Sequence, residues 1–399
     1  MGDRPSETLE MSDRALVDFL KVLVTLPSHA PHEGQALQRI AEEMRRLNYE
    51  DVAFDGDGNV IGRIGSGRPV LLVDGHVDTI PPHSIETWTS PPLTALERDG
   101  RVYGLGSVDM KGPIAAYVHG LARLGRCPTL GGTVCAVCSH SEEVMEGAAL
   151  AGTVKRIKPD FVIIAEPTAL RLCIAQRGRA KVEVRLMGRA VHAAHASLGV
   201  NPAEQVAGVI GDITRGTATT MAAGIQRQIT CIGVQSHPYP SVSTVPNFAV
   251  AQFDCRLPPS DAEETILTLF DDAVACIRRL PPEKQSRVDI DFVTYEFISC
   301  GGTKLKIREF APGWQTPRTS GLVRACLAGL EAAGLAPALG AYQFCTNGSY
   351  TAGVAGIPTV GFGPGVESDA HTVDESIAID ALIQAAKGYE NIARALLRS

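Results

Sequence analysis

The chain has 399 residues, of which 45% are hydrophobic and 20% charged, and its formal net charge at pH 7 is -7. The length allows two or three domains, and the acidic balance without a basic run argues against nucleic acid as a partner. No apolar stretch reaches transmembrane length, and the polar N-terminus lacks the apolar run of a signal peptide, so we expect a cytoplasmic protein that does not bind membranes.

The first 176 residues alternate between helical and strand-like patterns of apolar residues. Helices are expected over 13–26, 34–48 and 112–125, and short apolar strands over 59–64, 69–74, 133–138 and 161–165. This alternation predicts an α/β domain with a largely parallel sheet.

The 10 cysteines are scattered through apolar segments, which indicates buried thiols in a reducing compartment rather than a disulfide framework. The one CxxC pattern, Cys135 to Cys138, lies inside a strand-like run. Residues three apart on a strand point to opposite faces of the sheet. We therefore expect core thiols there, and neither a metal site nor a redox pair.

The middle of the chain changes character. Strands are expected over 181–187, 228–234, 248–257 and 288–297, and helices over 202–214 and 261–280. The order β-α-β-β-α-β is that of a ferredoxin-like module. After this segment the α/β pattern resumes, with helices over 319–333 and 379–397 and a strand over 359–362. The simplest architecture is an α/β domain, 1–176 and 299–399, interrupted by an inserted ferredoxin-like domain, 177–298.

Acidic residues and histidines follow the ends of these strands. His76 and Asp78 end the strand at 69–74, and the others are Asp109, Glu142, Glu143, Glu166 and His371. Each has a simpler explanation, as a helix cap, a solvated face, a turn residue or a loop histidine. Ligands of open α/β sheets, however, gather at the carboxyl ends of strands, and a His/carboxylate set suits zinc. Their joint occurrence predicts a metal site.

The signature of a known family runs through the same positions. It comprises Gly75-His76-Val77-Asp78-Thr79, Gly104-Leu105-Gly106-Ser107-Val108-Asp109-Met110-Lys111-Gly112, Ser141-Glu142-Glu143, Glu166-Pro167-Thr168 and Ala370-His371, with Gly188-Arg189-Ala190-Val191-His192 and Asp254-Cys255-Arg256 in the inserted domain. In these segments the chain resembles the di-zinc hydrolases that include acetylornithine deacetylase, succinyl-diaminopimelate desuccinylase, aminoacylase and glutamate carboxypeptidase. The resemblance implies a zinc-peptidase-like catalytic domain with a ferredoxin-like lid and dimerisation domain.

The resemblance also implies a role for each residue. Asp109 would bridge two Zn²⁺ ions per subunit, with Co²⁺ or Mn²⁺ as possible substitutes. His76 and Glu166 would complete one metal site, and Glu143 and His371 would complete the other. Asp78 would orient His76, and Glu142 would be the general base. From the lid domain, His192 would stabilise the oxyanion, in dimeric relatives from the partner subunit, and Arg256 would hold the α-carboxylate of the substrate.

Two departures from the family leave the substrate open. Some relatives carry an asparagine at the position of Ser243, so that role is not carried over. The loop around Asn347 and Gly348 aligns with a substrate-facing segment, and we expect both residues to bind substrate. This loop differs from the forms associated with acetylornithine or succinyl-diaminopimelate specificity, and its composition equally fits a plain turn.

The leading hypothesis is a zinc-dependent amidohydrolase that deacylates a small N-acyl amino acid and forms a homodimer through an edge strand of the lid. The alternative on the same scaffold is a dipeptidase or a glutamate-type carboxypeptidase. A Rossmann dehydrogenase is disfavoured, because Asp109 replaces the third glycine of the GxGxxG motif that starts at Gly104. An inactive binding protein is also disfavoured, since it would need no base at Glu142.

Overall fold

The computed structural model describes residues 6–126, 130–216 and 226–398. They form two compact units. The first comprises Met1–Gln176, Glu296–Leu305 and Gln315–Ser399, and the second comprises Arg177–Tyr295 and Lys306–Trp314. The predicted functional division into 1–176 with 299–399 and 177–298 stays a prediction.

The elements of the first unit up to Gln176 alternate as expected. In chain order they are α1 Ser6–Thr25, α2 Gly34–Arg46, β1 Asp51–Phe54, β2 Val60–Gly65, β3 Val70–His76, β4 Leu96–Arg98, β5 Arg101–Tyr103, α3 Lys111–Ala122, β6 Thr133–Ser139, α4 Ala151–Ile157, β7 Phe161–Ile164 and β8 Leu172–Gln176. The predicted helices and strands are present, whereas α4, β1, β4, β5 and β8 were not predicted, because runs of three to seven residues carry too little periodicity.

The remaining elements follow in chain order. They are β9 Gly178–Met187, α5 Pro202–Gly216, β10 Gln228–His237, β11 Phe248–Leu257, α6 Glu263–Ala273, α7 Ala275–Arg278, β12 Arg287–Phe292, β13 Thr294–Ile298, β14 Lys304–Arg308, β15 Phe310–Ala311, β16 Trp314–Gln315, α8 Gly321–Ala332, β17 Leu339–Tyr342, β18 Thr359–Gly361, β19 Ser376–Ala378 and α9 Ile379–Leu396. None of the described helices combines the length and the apolar composition that crossing a bilayer requires.

The nine-stranded sheet has the order β1-β2-β6-β3-β7-β18-β8-β16, and β17 also pairs with β8. Its centre is parallel, since β3 runs parallel to β6 and β7, and β18 runs parallel to β7. The pairs β1–β2, β2–β6 and β18–β8 are antiparallel, so the sheet is mixed rather than wholly parallel. The carboxyl ends of β3, β6 and β7 therefore lie at one edge, which is where the predicted site residues follow them.

Both faces of this sheet are covered. Along β3, Leu71 and Val73 enter one hydrophobic cluster, and Val70 and Leu72 enter the cluster on the other side. The predicted placement of the CxxC sulfurs is confirmed, because Cys135 and Cys138 also fall in different clusters. The nine cysteines in the described part of the chain are not joined by disulfide bonds.

The second unit contains an antiparallel sheet in the order β10-β11-β9-β12, the arrangement of a ferredoxin-like module. Helices α5 and α6 contribute Val209 and Phe270 to its core. The single helix expected over 261–280 is divided at Val274, which lies between α6 and α7 and packs with Ile277 into the core of this unit. The strand expected over 288–297 is likewise divided, into β12 and β13.

Candidate metal centre

Loops at the carboxyl ends of the parallel strands carry the predicted site residues of the first unit. His76 is the last residue of β3, Glu142 and Glu143 follow β6, and Glu166 follows β7. Asp109 lies just before α3, whose first residue is Lys111. His371 lies in the loop after β18 with a positive φ of 58°, a conformation that histidine adopts more readily than most residues.

Asp109 lies between two histidines. Its Oδ1 is 3.0 Å from Nε2 of His76, and its Oδ2 is 3.3 Å from Nε2 of His371. His371 Nε2 is also 2.6 Å from Oε1 of Glu143, and His76 Nε2 is 3.4 Å from Oε1 of Glu166. Each oxygen of Asp109 thus faces a different histidine, and each histidine has a glutamate beside it, so these residues could hold two ions with Asp109 between them.

The ring of His76 has a defined tautomer. Its Nδ1 is 3.0 Å from the backbone carbonyl oxygen of Asp78 and 3.5 Å from that residue's carboxylate. A carbonyl oxygen only accepts, so Nδ1 carries the proton and the neutral ring has its lone pair on Nε2. Asp78 thus contacts His76 chiefly through its backbone. The lone pair on Nε2 faces carboxylate oxygens, and such an arrangement calls for a cation or a second proton between them.

Three buried carboxylate oxygens of this cluster have no hydrogen-bond partner. They are Oδ1 of Asp109, Oε1 of Glu142 and Oε2 of Glu166. Among the described residues, two groups have ligand atoms within 4.8 Å of one another, His76 with Glu142 and Glu166, and His76 with Asp109 and Glu143. Four carboxylates carry a formal charge of about -4 when ionised, which two divalent cations would neutralise. The donor set therefore fits a pair of divalent ions.

The mutual influence of these groups is visible in their pKa values. Burial raises the pKa of Glu142 well above its usual range and that of Glu166 to about 7. Hydrogen bonds to Asp109 and Glu143 raise the pKa of His371 to about 10. Glu142 and Glu166 thus resist ionisation and His371 favours the cationic form, as expected for a cluster that lacks positive charge. Burial acts to raise the pKa of Asp109 as well, but hydrogen bonds to His371 and His76 outweigh it and hold that pKa below its usual range.

The loops that carry these residues are held by further buried carboxylates. Asp78 accepts the backbone N–H groups of Glu142 and Glu143, each at 3.0 Å. Glu375 accepts those of Val108 at 2.7 Å and Asp109 at 3.1 Å. Sequence reasoning missed Glu375, since a lone glutamate in a loop carries no pattern.

A second carboxylate that sequence reasoning missed is Glu33, which contacts Ser141. Lys111, to which the sequence assigned no chemical role, is fully buried, and its Nζ donates to the carbonyl oxygen of Leu26 at 2.7 Å. Burial lowers the pKa of Lys111 to about 7.

Asn347 and Gly348 are occupied within the protein. Asn347 Nδ2 donates to Asp74 Oδ2 at 2.8 Å and to Ser139 Oγ at 3.0 Å, and its Oδ1 accepts from the backbone of Gly147 at 2.7 Å. The N–H of Gly348 donates to Thr346 Oγ1 at 3.0 Å. Their substrate-binding role stays a prediction, and their contacts support a role in ordering the loop.

His192 and Arg256 lie in the second unit. The exposed His192 accepts the backbone N–H of Ala194 on Nδ1 at 3.1 Å. Arg256, on β11, donates to Asp254 Oδ1 at 2.9 Å, and its side chain is 37% exposed. Both side chains thus present polar atoms at the surface of their own unit, and their roles stay predictions.

Similarity to known proteins identifies the family of this chain. Residues 72–395 match the sequence profile of peptidase family M20/M25/M40. The chain belongs to that family. It is 26% identical over 384 residues to the uncharacterized protein YgeY of Escherichia coli K12, covering 94% of this chain and 92% of YgeY. It is 32% identical over 273 residues to the succinyl-diaminopimelate desuccinylase of Methylorubrum extorquens, covering 62% of this chain and 69% of that enzyme.

A solved structure of the same family has the same fold. The YxeP protein of Bacillus subtilis, described as a dinuclear metal binding peptidase from the M20 family, superimposes with a TM-score of 0.72 at 13% identity, covering 97% of this chain and 99% of YxeP. The predicted fold class and family are confirmed. This protein is accordingly a metal-dependent hydrolytic enzyme of the M20 type.

Proposed function

We propose that this M20 enzyme hydrolyses the amide bond of a small N-acyl amino acid, using two Zn²⁺ ions and Glu142 as the general base. The observation that carries the proposal is Asp109, whose two oxygens lie 3.0 and 3.3 Å from Nε2 of His76 and His371. In this assignment His76 and Glu166 complete one metal site, and Glu143 and His371 complete the other. When bound, a pair of divalent cations activates water as a nucleophile and polarises the amide carbonyl.

Glu142 is suited to moving protons. It is buried, its Oε2 lies 3.8 Å from His76 Nε2, and its Oε1 has no hydrogen-bond partner. The carboxylate takes a proton from the attacking water and donates it to the nitrogen that leaves. Asp78 fixes the backbone from which Glu142 projects. Exclusion of bulk water from this buried carboxylate keeps its proton available for the leaving group.

Substrate recognition is assigned to the second unit. An arginine at 256 suits the α-carboxylate of an amino acid, because the guanidinium fork binds both oxygens. A histidine at 192 suits the negative oxygen that develops on the carbonyl during attack. The desuccinylase from Methylorubrum extorquens supports an N-acyl amino acid as substrate. The peptidase description of YxeP supports the alternative, a dipeptide.

We further propose a cytoplasmic homodimer that forms through β10. This strand is at the edge of its sheet, and the apolar side chains of Ile232 and Val234 are 52% and 58% exposed on it. An exposed apolar edge strand is a surface on which a second copy can continue the sheet.

Hydrolysis of a substrate panel tests the proposal. The panel contains N-acetyl, N-succinyl, N-formyl and N-carbamoyl amino acids and dipeptides, assayed with zinc-loaded and chelated protein. We expect hydrolysis of an N-acyl amino acid that chelation abolishes and added zinc restores. Activity that survives complete metal removal would contradict the mechanism, and preference for dipeptides would favour the alternative. Glu142→Gln should retain both metal ions and lose roughly 10³-fold in kcat.

A further inference from the structure

Glu33 is a fully buried carboxylate whose side chain contacts the segment that bears Glu142. Its Oε1 accepts the backbone N–H of Ser141 at 3.1 Å and the Ser141 hydroxyl at 2.9 Å. Glu33 is separated from Ser141 by more than one hundred positions in the chain, and it is not among the metal-ligating groups of the described residues. Its other oxygen is buried without a hydrogen-bond partner.

Ser141 occupies a demanding position in the backbone. The chain leaves β6 after Ser139 and adopts a φ of 55° at Ser141, a left-handed conformation that favours glycine. The N–H of Met145 then donates to the carbonyl oxygens of Ser141 and Glu142, which closes a single turn. The direction of the Glu142 side chain therefore depends on the conformation of Ser141.

Buried carboxylates bind three consecutive N–H groups of this corner. The N–H of Ser141 donates to Glu33, and those of Glu142 and Glu143 donate to Asp78. On its other side the Ser141 hydroxyl lies 3.0 Å from Nδ1 of the buried His140. Hydrogen bonds from N–H groups to charged acceptors are among the stronger ones in proteins, and removing a buried acceptor leaves its donor unsatisfied.

The position of Glu33 before α2 has a simpler explanation, the capping of that helix. The structure argues against it, because Glu33 is the N-cap residue but its side chain makes no capping hydrogen bond. The N–H of Leu37 bonds instead to the backbone carbonyl of Glu33. The carboxylate is thus committed to Ser141 rather than to its own helix.

We propose that Glu33 is a positioning residue for catalysis, which fixes Glu142 by holding Ser141 in its left-handed conformation. The inference rests on the proposed function, since it takes Glu142 as the base. It assigns a catalytic consequence to a residue that touches neither the metal ligands nor the substrate.

Two variants and a matched control test it. Glu33→Ala removes the acceptor and should lower kcat roughly 10- to 100-fold, with KM within about threefold of wild type and the metal content unchanged. Glu33→Gln keeps an oxygen that can accept from Ser141 and should recover most of the loss. Glu43→Gln is the control, because Glu43 is equally buried but contacts His119 and Arg46 instead. It should leave kcat unchanged.

A double-mutant cycle identifies the contact. Ser141→Ala removes the hydroxyl bond, and its effect on kcat should not add to that of Glu33→Ala, because both act through the same pair. Additive losses, or a wild-type kcat in Glu33→Ala, would overturn the proposal.

Hydrogen exchange of the metal-free protein gives a readout that does not depend on activity. In Glu33→Ala the amide of Ser141 should exchange at least about tenfold faster than in wild type, and in Glu43→Gln it should not change. Unchanged exchange in Glu33→Ala overturns the contact itself. A different outcome is that exchange is faster in Glu33→Ala but the wild-type protein hydrolyses no member of the panel. That result would contradict the proposed function, and the catalytic role of Glu33 with it.

Discussion

Glu375, which lies four residues after His371 in the chain, accepts the backbone N–H of Asp109 at 3.1 Å. The same oxygen accepts the N–H of Val108 at 2.7 Å, and the side chain is 1% exposed. One buried carboxylate thus joins the loop of the central aspartate to the loop of a histidine that faces it. The spacing of these two groups depends on Glu375.

Removal of this acceptor should weaken metal binding. In Glu375→Ala the N–H groups of Val108 and Asp109 lose their partner, so the loop can shift, and we expect metal affinity to fall roughly 10- to 100-fold. Activity should return in part at high zinc concentration. Titration with a competing chelator measures the affinity.

The adjacent Asp374 provides the control for this prediction. Its carboxylate accepts from Thr89 at the surface, through the backbone at 2.8 Å and the hydroxyl at 2.6 Å. Asp374→Asn should therefore bind metal as wild type does. Equal affinities for Glu375→Ala and wild type would show that Asp109 does not need this support.

The sequence predicted the centre of the sheet and the loops after its strands. Apolar periodicity is a local pattern, and so is the position of polar residues at the carboxyl ends of strands, where ligands gather. His76, Glu142 and Glu166 each follow such a strand, and the structure brings them together. Glu33 and Glu375 were not predicted. Each acts on a segment distant in sequence, and only the fold shows which backbone N–H groups face them.

Local patterns also do not reveal the break in the helix over 261–280 or the contacts of Asn347. The apolar spacing over 261–280 continues through Val274, so periodicity alone does not reveal that the helix is divided there. A polar Gly/Ser/Asn loop around Asn347 suggested contact with a ligand. In the structure the side-chain amide bonds to Asp74, Ser139 and Gly147, a network that composition cannot indicate.

Glu43 should make stability depend on pH. It is 1% exposed, and Nη2 of Arg39 donates to its Oε2 at 2.8 Å. Burial acts to raise the pKa of Glu43, but hydrogen bonds from His119, Arg46 and Arg39 outweigh it and hold the pKa below its usual range. Burial also lowers the pKa of His119, so at pH 7 the arginines supply the positive charge.

Because the folded pKa is lower than the unfolded one, Glu43 stabilises the fold above a pH of about 4.3 and loses this contribution as the pH falls towards the folded value. Glu43→Gln should cost about 2 kcal/mol of unfolding free energy at neutral pH. Urea denaturation at a series of pH values should show this difference shrinking below about pH 4. A difference that stays constant down to acid pH would disprove the assignment.

Two helical glycines should respond oppositely to alanine. A Cβ on Gly120, in α3, would lie 2.3 Å from the carbonyl oxygen of Ala386 in α9, so Gly120→Ala should destabilise by about 2 kcal/mol or more. A Cβ on Gly208, in α5, would meet nothing within 4 Å. There alanine should stabilise by up to about 1 kcal/mol, through helix propensity. Thermal denaturation compares the two, and a stabilised Gly120→Ala would refute the close packing of α3 on α9.

Subunit mixing tests whether His192 acts on the site of its partner. Glu142→Gln lacks the base but carries an intact His192, whereas His192→Ala lacks the histidine but carries an intact base. Each variant alone should be nearly inactive. If His192 acts across the dimer, a heterodimer has one site with both groups, and random mixing should restore roughly a quarter of the wild-type activity.

The edge strand supplies the control for mixing. Val234→Lys, placed in both chains, puts a charge on the exposed face of β10, where it should prevent sheet pairing and abolish the recovery. Val354→Lys, at a residue 62% exposed outside this unit, should leave the recovery intact. If the Val234→Lys chains remain dimeric in sedimentation and still recover activity, β10 is not the interface. A mixture no more active than its separate parents would restrict His192 to its own subunit, because only exchange between subunits can combine the base of one chain with the histidine of the other.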